Sequence, residues 1–233
     1  MNQESPFVSV VIPALNEEEP IADVIREVIA TGIPREVIVV DNMSTDRTAD
    51  RARVAGARVV EAARGYGRAC AAGVAAVAPG CEVIVFLDGD GSDCAELMPR
   101  IVGPIFAGEQ DFVIGSRTRG ERERGSMNFQ QVASGRAAGL LLQMLYGVSY
   151  SDMCPFRAIR RDALAQLGMK EETYGWNLEM QMRAARKKLR ILEVPVNHRC
   201  RTGGESKVSG TLRGTFVAGT RIIATLLRVA AER

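Results

Sequence analysis

Through the first half of the chain, short and largely apolar runs alternate with stretches whose apolar residues recur every three to four positions. Phe7–Ile12, Val37–Val40, Arg58–Val60, Val83–Leu87 and Phe112–Ile114 have strand length and strand composition, as expected of strands buried on both faces of a parallel sheet. Between the first two, Ile21, Val24, Ile25, Val28 and Ile29 keep the i, i+3, i+4, i+7, i+8 spacing of one helix face. Asn16 is its expected cap, and Gly32 and Pro34 its stop. Further helices are expected near Thr48–Ala55 and Arg68–Val77. The pattern predicts β-α-β-α-β-α-β, an α/β layer with the first strand in a central position.

Past Ser116 the pattern loosens. Arg117–Ser126 is charged, punctuated by glycine and almost free of apolar residues, so it reads as a surface loop. Asn128–Tyr146 has helical composition, Phe156–Ile159 and Ile191–Val196 read as strands, and Asn177–Lys188 as a helix. Thr202–Gly210 is a second polar, glycine-rich loop, followed by an amphipathic helix over Thr211–Ala231 that carries Arg213, Arg221 and Arg228.

The composition narrows the class. At 233 residues, with 46% apolar and 25% charged residues, the chain has the make-up of one globular domain rather than a disordered segment. No apolar stretch approaches the ~20 residues of a membrane helix. The start lacks a signal-peptide pattern, which makes the cytoplasm the expected location. Five cysteines, at 70, 81, 94, 154 and 200, are scattered and never form CxxC, which suggests neither a disulfide framework nor a zinc knuckle.

Net charge is only +2, but it is unevenly distributed. Residues 1–116 hold 9 Lys/Arg against 18 Asp/Glu, a balance of −9; residues 117–233 hold 21 against 10, a balance of +11. An acidic half suits a metal ion, and a basic half suits phosphates or an anionic membrane surface. Aromatic residues at 5%, with no basic patch interleaved with them, argue against nucleic acid.

In open α/β sheets ligands bind beyond the carboxyl ends of the strands, and three expected turns there carry carboxylates: Pro13–Glu17, Asp41–Asp46 and Asp88–Asp93. In the third, Asp88 and Asp90 alternate to one side, and Gly89 between them leaves room for a phosphate group. Two hard oxygen ligands suit Mg2+ or Mn2+, which complete their shells with water and substrate phosphates. A calcium EF-hand is excluded, because Pro99 stands where the loop's twelfth-position Glu belongs. Gly65-Tyr66-Gly67 follows a strand and precedes a helix, but Cys70 stands where GxGxxG needs its third glycine. It therefore reads as a tight turn into a helix.

Taken in order, VSVVIPALNEE, EVIVVDNMSTDRT, ARGYGRACAAG, VIVFLDGDGSD, VIGSR, FRAIRRDAL, ILEVPVNHR and RTGGESK resemble the family 2 glycosyltransferases, with the dolichol- or polyprenyl-phosphate mannosyltransferase branch the nearest in pattern. The resemblance spans about residues 7 to 210. It implies a GT-A fold in a single domain, with residues 1–116 as the nucleotide-sugar and metal half and 117–233 as the acceptor half. It also implies a UDP- or GDP-hexose donor and a divalent Mg2+ or Mn2+ ion on the DxD motif. On this analogy Pro13, Leu15, Glu17 and Asp41 line the nucleoside pocket, and Asp88 and Gly89 meet ribose or diphosphate. Asp90 and, more weakly, Ser92 ligate the metal, while Arg117, Arg201 and Lys207 hold the donor. Two positions depart from the family pattern: Asn42 stands where many relatives have a second Asp, and Ser92 where phospholipid-sugar synthases have a glutamine.

The favoured acceptor is polyprenyl phosphate at the inner membrane surface. The alternatives are a soluble phosphorylated or sugar acceptor, or nucleotide-sugar binding without catalysis. A hydroxyl acceptor must lose a proton during attack, whereas a phosphate monoester is already anionic. If a base is used, Asp152 and Glu179 are the candidates; His198, the single histidine, is set aside as a core or surface residue.

Overall fold

A computed structural model describes residues 6–203 and 224–232. The first half forms β1 (Val8–Ala14), α1 (Ile21–Ala30), β2 (Glu36–Asp41), α2 (Thr48–Val54), β3 (Arg58–Glu61), α3 (Tyr66–Ala76), β4 (Val83–Phe86), α4 (Met98–Phe106) and β5 (Phe112–Ser116). There follow α5 (Phe129–Tyr146), β6 (Arg157–Arg160), α6 (Arg161–Leu167), α7 (Trp176–Arg186) and β7 (Ile191–Pro195). Residues 224–231 are helical; the remainder of the helix expected over Thr211–Ala231 lies outside the described residues.

One seven-stranded sheet runs in the order β3-β2-β1-β4-β6-β5-β7. β1 pairs in parallel with both β2 and β4, in registers such as Val11↔Ile38 and Val10↔Val85, so it is central. Every residue of β1, β4 and β5 is buried, which is why these strands read as continuous apolar runs. β6 runs antiparallel to both neighbours, β4 and β5, and β5 is parallel to β7. Six of the seven strands therefore point the same way. The turns after β1, β2, β3, β4, β5 and β7, together with the segment entering β6, meet at one edge of the sheet.

One local expectation is corrected, and two helices escaped the sequence pattern. Asn16 does not cap α1, which begins at Ile21 after Pro20 with no side-chain cap. Asn16 adopts φ 52°, and its amide oxygen accepts the Thr45 N–H at 2.8 Å, tying the β1 turn to the β2 turn. α4 was not expected because Pro99 and Pro104 interrupt its apolar pattern. Pro99 falls in the first turn, where a missing N–H costs nothing, and Pro104 lies in the last. α6 is only seven residues long, too short to show a period. Asn128, by contrast, caps α5 in a reciprocal capping box with Gln131.

Candidate active site

A cavity of about 610 Å3 opens at the strand edge described above, within the range of small-ligand sites. The first half supplies Pro13 at the end of β1 and Leu15 and Glu17 after it, Asn42 after β2, Arg64–Tyr66 after β3, and Asp88, Gly89, Asp90 and Ser92 after β4. The second half supplies Arg117 after β5, Ser126, Asn128 and Gln131 at the start of α5, Thr173 and Tyr174 before α7, and His198, Cys200 and Arg201 after β7. Parallel strands thus bring together residues separated by up to 188 positions in sequence.

Negative charge concentrates in the β4 turn. Asp88 is half-buried, accepts the Tyr66 hydroxyl at 3.1 Å, and its carboxyl is pushed well above the usual carboxylate range by desolvation and by Asp90 and Asp93. Burial, reinforced by Asp90, also raises the Asp93 carboxyl, to about 6, although its Oδ2 accepts the Asp88 N–H at 3.0 Å. Asp90 Oδ2 faces Arg201 Nη2 at 3.8 Å. Among the described residues, the buried atoms Asp93 Oδ1, His198 Nδ1 and Arg201 Nε have no hydrogen-bond partner. The corner is short of positive charge, and it keeps open polar atoms of both signs. That is the chemistry of a site for a cation together with an anion. Among the described residues no three His, Cys, Asp or Glu side chains form a metal-ligand group. A hard dication taking one or two carboxylate oxygens, with phosphate and water for the rest, fits this donor set; a closed protein cage does not.

Positive charge is held at the wall by buried carboxylates. Asp152, 2% exposed, accepts Arg117 Nε at 2.8 Å on Oδ2 and Arg117 Nη2 at 2.8 Å on Oδ1, and also the Arg117 backbone N–H. Its own N–H and that of Ser151 donate to Glu193 on β7. Arg201 Nη2 is bound by Glu17 Oε1.

The expected site residues therefore divide. Pro13, Leu15, Glu17, Asp88, Gly89, Asp90, Ser92, Arg117 and Arg201 meet at the cavity; Lys207 lies outside the described residues. Asp41 does not line it: its Oδ1 accepts the Ser44 N–H at 3.3 Å, and Asn42 forms the wall there. Ser92 lines the cavity beside Asp90, and its hydroxyl donates to Asp90 Oδ1 at 2.6 Å, which leaves the hydroxyl lone pairs free. A Cβ on Gly89 would meet Ile12, Ile21 and Ala14, so its missing side chain serves core packing, and only its backbone faces the ligand. Neither candidate base lines the cavity. Asp152 is committed to Arg117. Glu179 is fully buried, with Oε1 bound by Arg183 and Arg228 and Oε2 by the N–H groups of Lys170 and Glu171.

Sequence reasoning set aside His198, yet its backbone bridges to Asp93, and burial and Arg117 lower its imidazole pKa to about 4. It is a neutral ring at the edge of the acidic corner. Its place just after a strand of the same sheet edge was the signal available. Asn42 was noted only as a departure. Its side chain spans two turns, donating to Ala63 O at 2.7 Å and accepting the Gly65 N–H at 2.8 Å.

Comparison with known proteins supplies the context. The family model described as Glycosyl transferase family 2 matches residues 9–168. An uncharacterised glycosyltransferase of Mycobacterium tuberculosis is 39% identical over 215 residues, covering 91% of this chain and 94% of the relative. The dolichyl-phosphate hexose transferase of Haloferax volcanii is 32% identical over 228 residues, covering 97% and 94%. Among solved structures, glucosyl-3-phosphoglycerate synthase from Mycobacterium tuberculosis in complex with Mn2+, uridine diphosphate and phosphoglyceric acid superposes with TM-score 0.78 at 27% identity, covering 97% of this chain and 79% of that one. With the DxD carboxylates, the paired arginines and this strand order on one framework, the chain belongs to glycosyl transferase family 2 and is a glycosyltransferase with the GT-A fold.

Proposed function

We propose that this enzyme transfers a hexose from a UDP- or GDP-sugar to the phosphate of a polyprenyl phosphate, with inversion, and that Asp90 and Asp88 hold Mg2+ or Mn2+ for the donor diphosphate. The observation that carries this reading is the meeting of Asp88 and Asp90 with Arg117 and Arg201 around one cavity. The complex of the solved relative with Mn2+ and uridine diphosphate supports the donor class. Residues 1–116 serve as the nucleotide-sugar and metal half, and 117–233 as the acceptor half.

In the reaction, the bond between the sugar and the diphosphate breaks as an acceptor oxygen attacks the anomeric carbon. When bound, the dication supplies Lewis-acid neutralisation of the departing charge. Arg117, fixed by Asp152, and Arg201, fixed by Glu17, add preorganised positive charge at the cavity wall. The state of the two candidate bases favours a phosphate acceptor. Asp152 and Glu179 are both paired with arginines and neither lines the cavity, and a phosphate oxygen needs no deprotonation, whereas a hydroxyl does. The dolichyl-phosphate relative supports a lipid phosphate. The basic balance of residues 117–233 suits an anionic bilayer surface, where the enzyme would sit peripherally. No helix among the described residues is long and apolar enough to cross a membrane.

A second reading, transfer to a soluble phosphorylated acceptor, is favoured by the phosphoglyceric acid bound in the solved relative. Radiolabelled UDP- and GDP-hexoses incubated with polyprenyl phosphate vesicles or with phosphorylated metabolites separate the two. Label passing into organic solvent supports the lipid acceptor; label kept in water as a phosphorylated glycoside overturns it.

A further inference from the structure

The Gly65-Tyr66-Gly67 turn has a partner that the functional reading leaves unused. It is the segment between α6 and α7, whose Thr173 and Tyr174 line the cavity beside Tyr66. A Cβ on Gly65 would overlap the Glu172 carbonyl oxygen, and one on Gly67 would overlap that of Glu171. The Arg68 N–H donates to Glu172 O at 3.0 Å, and the Arg68 guanidinium pairs with the Glu172 carboxylate. The two glycines are therefore a seat on which the backbone of residues 171–172 lies flat, and they hold Tyr66 where its hydroxyl reaches Asp88.

Behind this seat the segment is held by two carboxylates. Glu171 Oε1 accepts both the N–H and the hydroxyl of Thr173, at 3.0 and 2.6 Å. Its Oε2 accepts Thr225 Oγ1 at 2.7 Å and Arg228 Nη2 at 3.2 Å from the C-terminal helix. Arg228 Nη1 also donates to Glu179 Oε1 at 3.0 Å, and Glu179 Oε2 receives the N–H groups of Lys170 and Glu171. One guanidinium thus bridges the two carboxylates that shape the segment.

We infer that Glu171 and Arg228 are positioning residues: the C-terminal helix, acting through them, presses the Thr173–Tyr174 wall onto the Gly65-Tyr66-Gly67 seat and so sets the acceptor side of the cavity. This rests on reading the second half as the acceptor half. Neither residue lines the cavity, so their effect is exerted through wall geometry rather than by contact with the reacting atoms. A wall displaced by a fraction of an ångström weakens acceptor binding while leaving the donor corner intact.

Trp176, the single tryptophan, reports on this wall without any substrate. It is 3% exposed, and its backbone N–H donates to Thr173 O at 3.3 Å. The test compares the full-length chain with Arg228→Gln, Glu171→Gln and Arg228→Lys, each confirmed as folded by its melting curve. Expected for the two Gln variants is a rise of about twofold in acrylamide quenching of Trp176. The acceptor KM should rise roughly tenfold, with kcat and UDP or GDP affinity in Mn2+ changed by less than about twofold. Arg228→Lys should recover part of both effects. Unchanged quenching in the folded Gln variants overturns the inference, as does a parallel loss of kcat, acceptor KM and nucleotide affinity that merely follows melting temperature. Wild-type enzyme that transfers to no acceptor would sink the functional reading instead, and the quenching comparison would still decide this one.

Discussion

The two halves of the molecule hold the cavity by different means. In the first, side chains reach it because parallel strands end in step: Ala14 pairs with Asp41 and Asp41 with Glu61, so the following turns meet without further help. In the second, the wall is held by charged pairs between distant segments, Arg117 with Asp152 and Arg228 with Glu171 and Glu179. Backbone register is built from many hydrogen bonds, each worth about 1 kcal/mol net, and no single side chain in it is indispensable. A buried ion pair concentrates the same task in two residues, and losing either leaves an uncompensated charge.

The largest effect is expected in the first half, and it should touch activity without touching stability. Asp90 is exposed enough to meet ligand, and its Oδ1 bonds only the Ser92 N–H and hydroxyl of its own turn. Asp90→Ala should lower kcat/KM by about 10³-fold, the scale of removing one preorganised electrostatic element, and abolish the thermal shift produced by UDP or GDP with Mn2+. The melting temperature without ligand should stay within about 2 °C, since the Ser92 hydrogen bonds that are lost are offset by relief of the repulsion Asp90 exerts on Asp88 and Asp93. Nucleotide binding that persists in this variant with Mn2+ present would remove the metal role from Asp90.

Asp152→Asn should show the opposite signature. Its carboxylate is 2% exposed and engages the Arg117 side chain and backbone. The variant should lose about 3–5 kcal/mol of stability, the cost of leaving a buried charge unpaired, measured by urea unfolding, and activity should fall along with it. Burial alone would raise the Asp152 carboxyl, but the Arg117 hydrogen bonds outweigh burial and hold it below the usual range. A depressed folded pKa gives stability that is present above the unfolded value of ~3.9 and is lost as pH falls through the folded one. The acid limb of the stability curve should therefore flatten in Asp152→Asn.

A smaller effect is expected where a side chain joins two register-built turns. Asn42→Asp would set a carboxylate against Ala63 O, where the amide now donates at 2.7 Å. Lost pairing of a buried polar group costs about 1–3 kcal/mol. The loss should appear as a lower urea midpoint, together with weaker UDP or GDP binding, because Asn42 and Gly65 both face the cavity.

The same division explains what could be read from the chain before its structure. Strands β1 to β5, the helices between them with clean periodicity, and the acidic turn at Asp88–Asp90 were legible because local pattern alone determines them. Asp152 and Glu179 were recognisable as important carboxylates, but their task was not, because Asp152 pairs with Arg117 35 residues away and Glu179, besides its i+4 partner Arg183, pairs with Arg228 49 residues away. Asn16 misled because an Asn before an apolar period looks like a cap, whereas its partner is Thr45 across the sheet edge. Tyr174 and Gln131 gave no signal: their relevance exists only once β5, β6 and β7 have converged.

The least effect is expected at a pair with the same chemistry as Arg117–Asp152 but a different setting. Asp162, in the first turn of α6, accepts Arg160 Nε at 3.0 Å and the Ala163 N–H at 2.8 Å. The Arg160 hydrogen bonds hold its carboxyl below the usual range, and the start of a helix favours the anion as well. Yet the side chains are 42% and 58% exposed, so water competes for both charges and salt screens them. Asp162→Asn should cost only about 0.5 kcal/mol at neutral pH, as for exposed pairs generally, and less in 1 M salt. The difference from wild type should fade as pH falls through the depressed folded pKa, the same sign as for Asp152 and a fraction of its size. If the two substitutions cost the same, burial is not what gives the second half its dependence on ion pairs, and the contrast between the halves has to be traced to sequence separation instead.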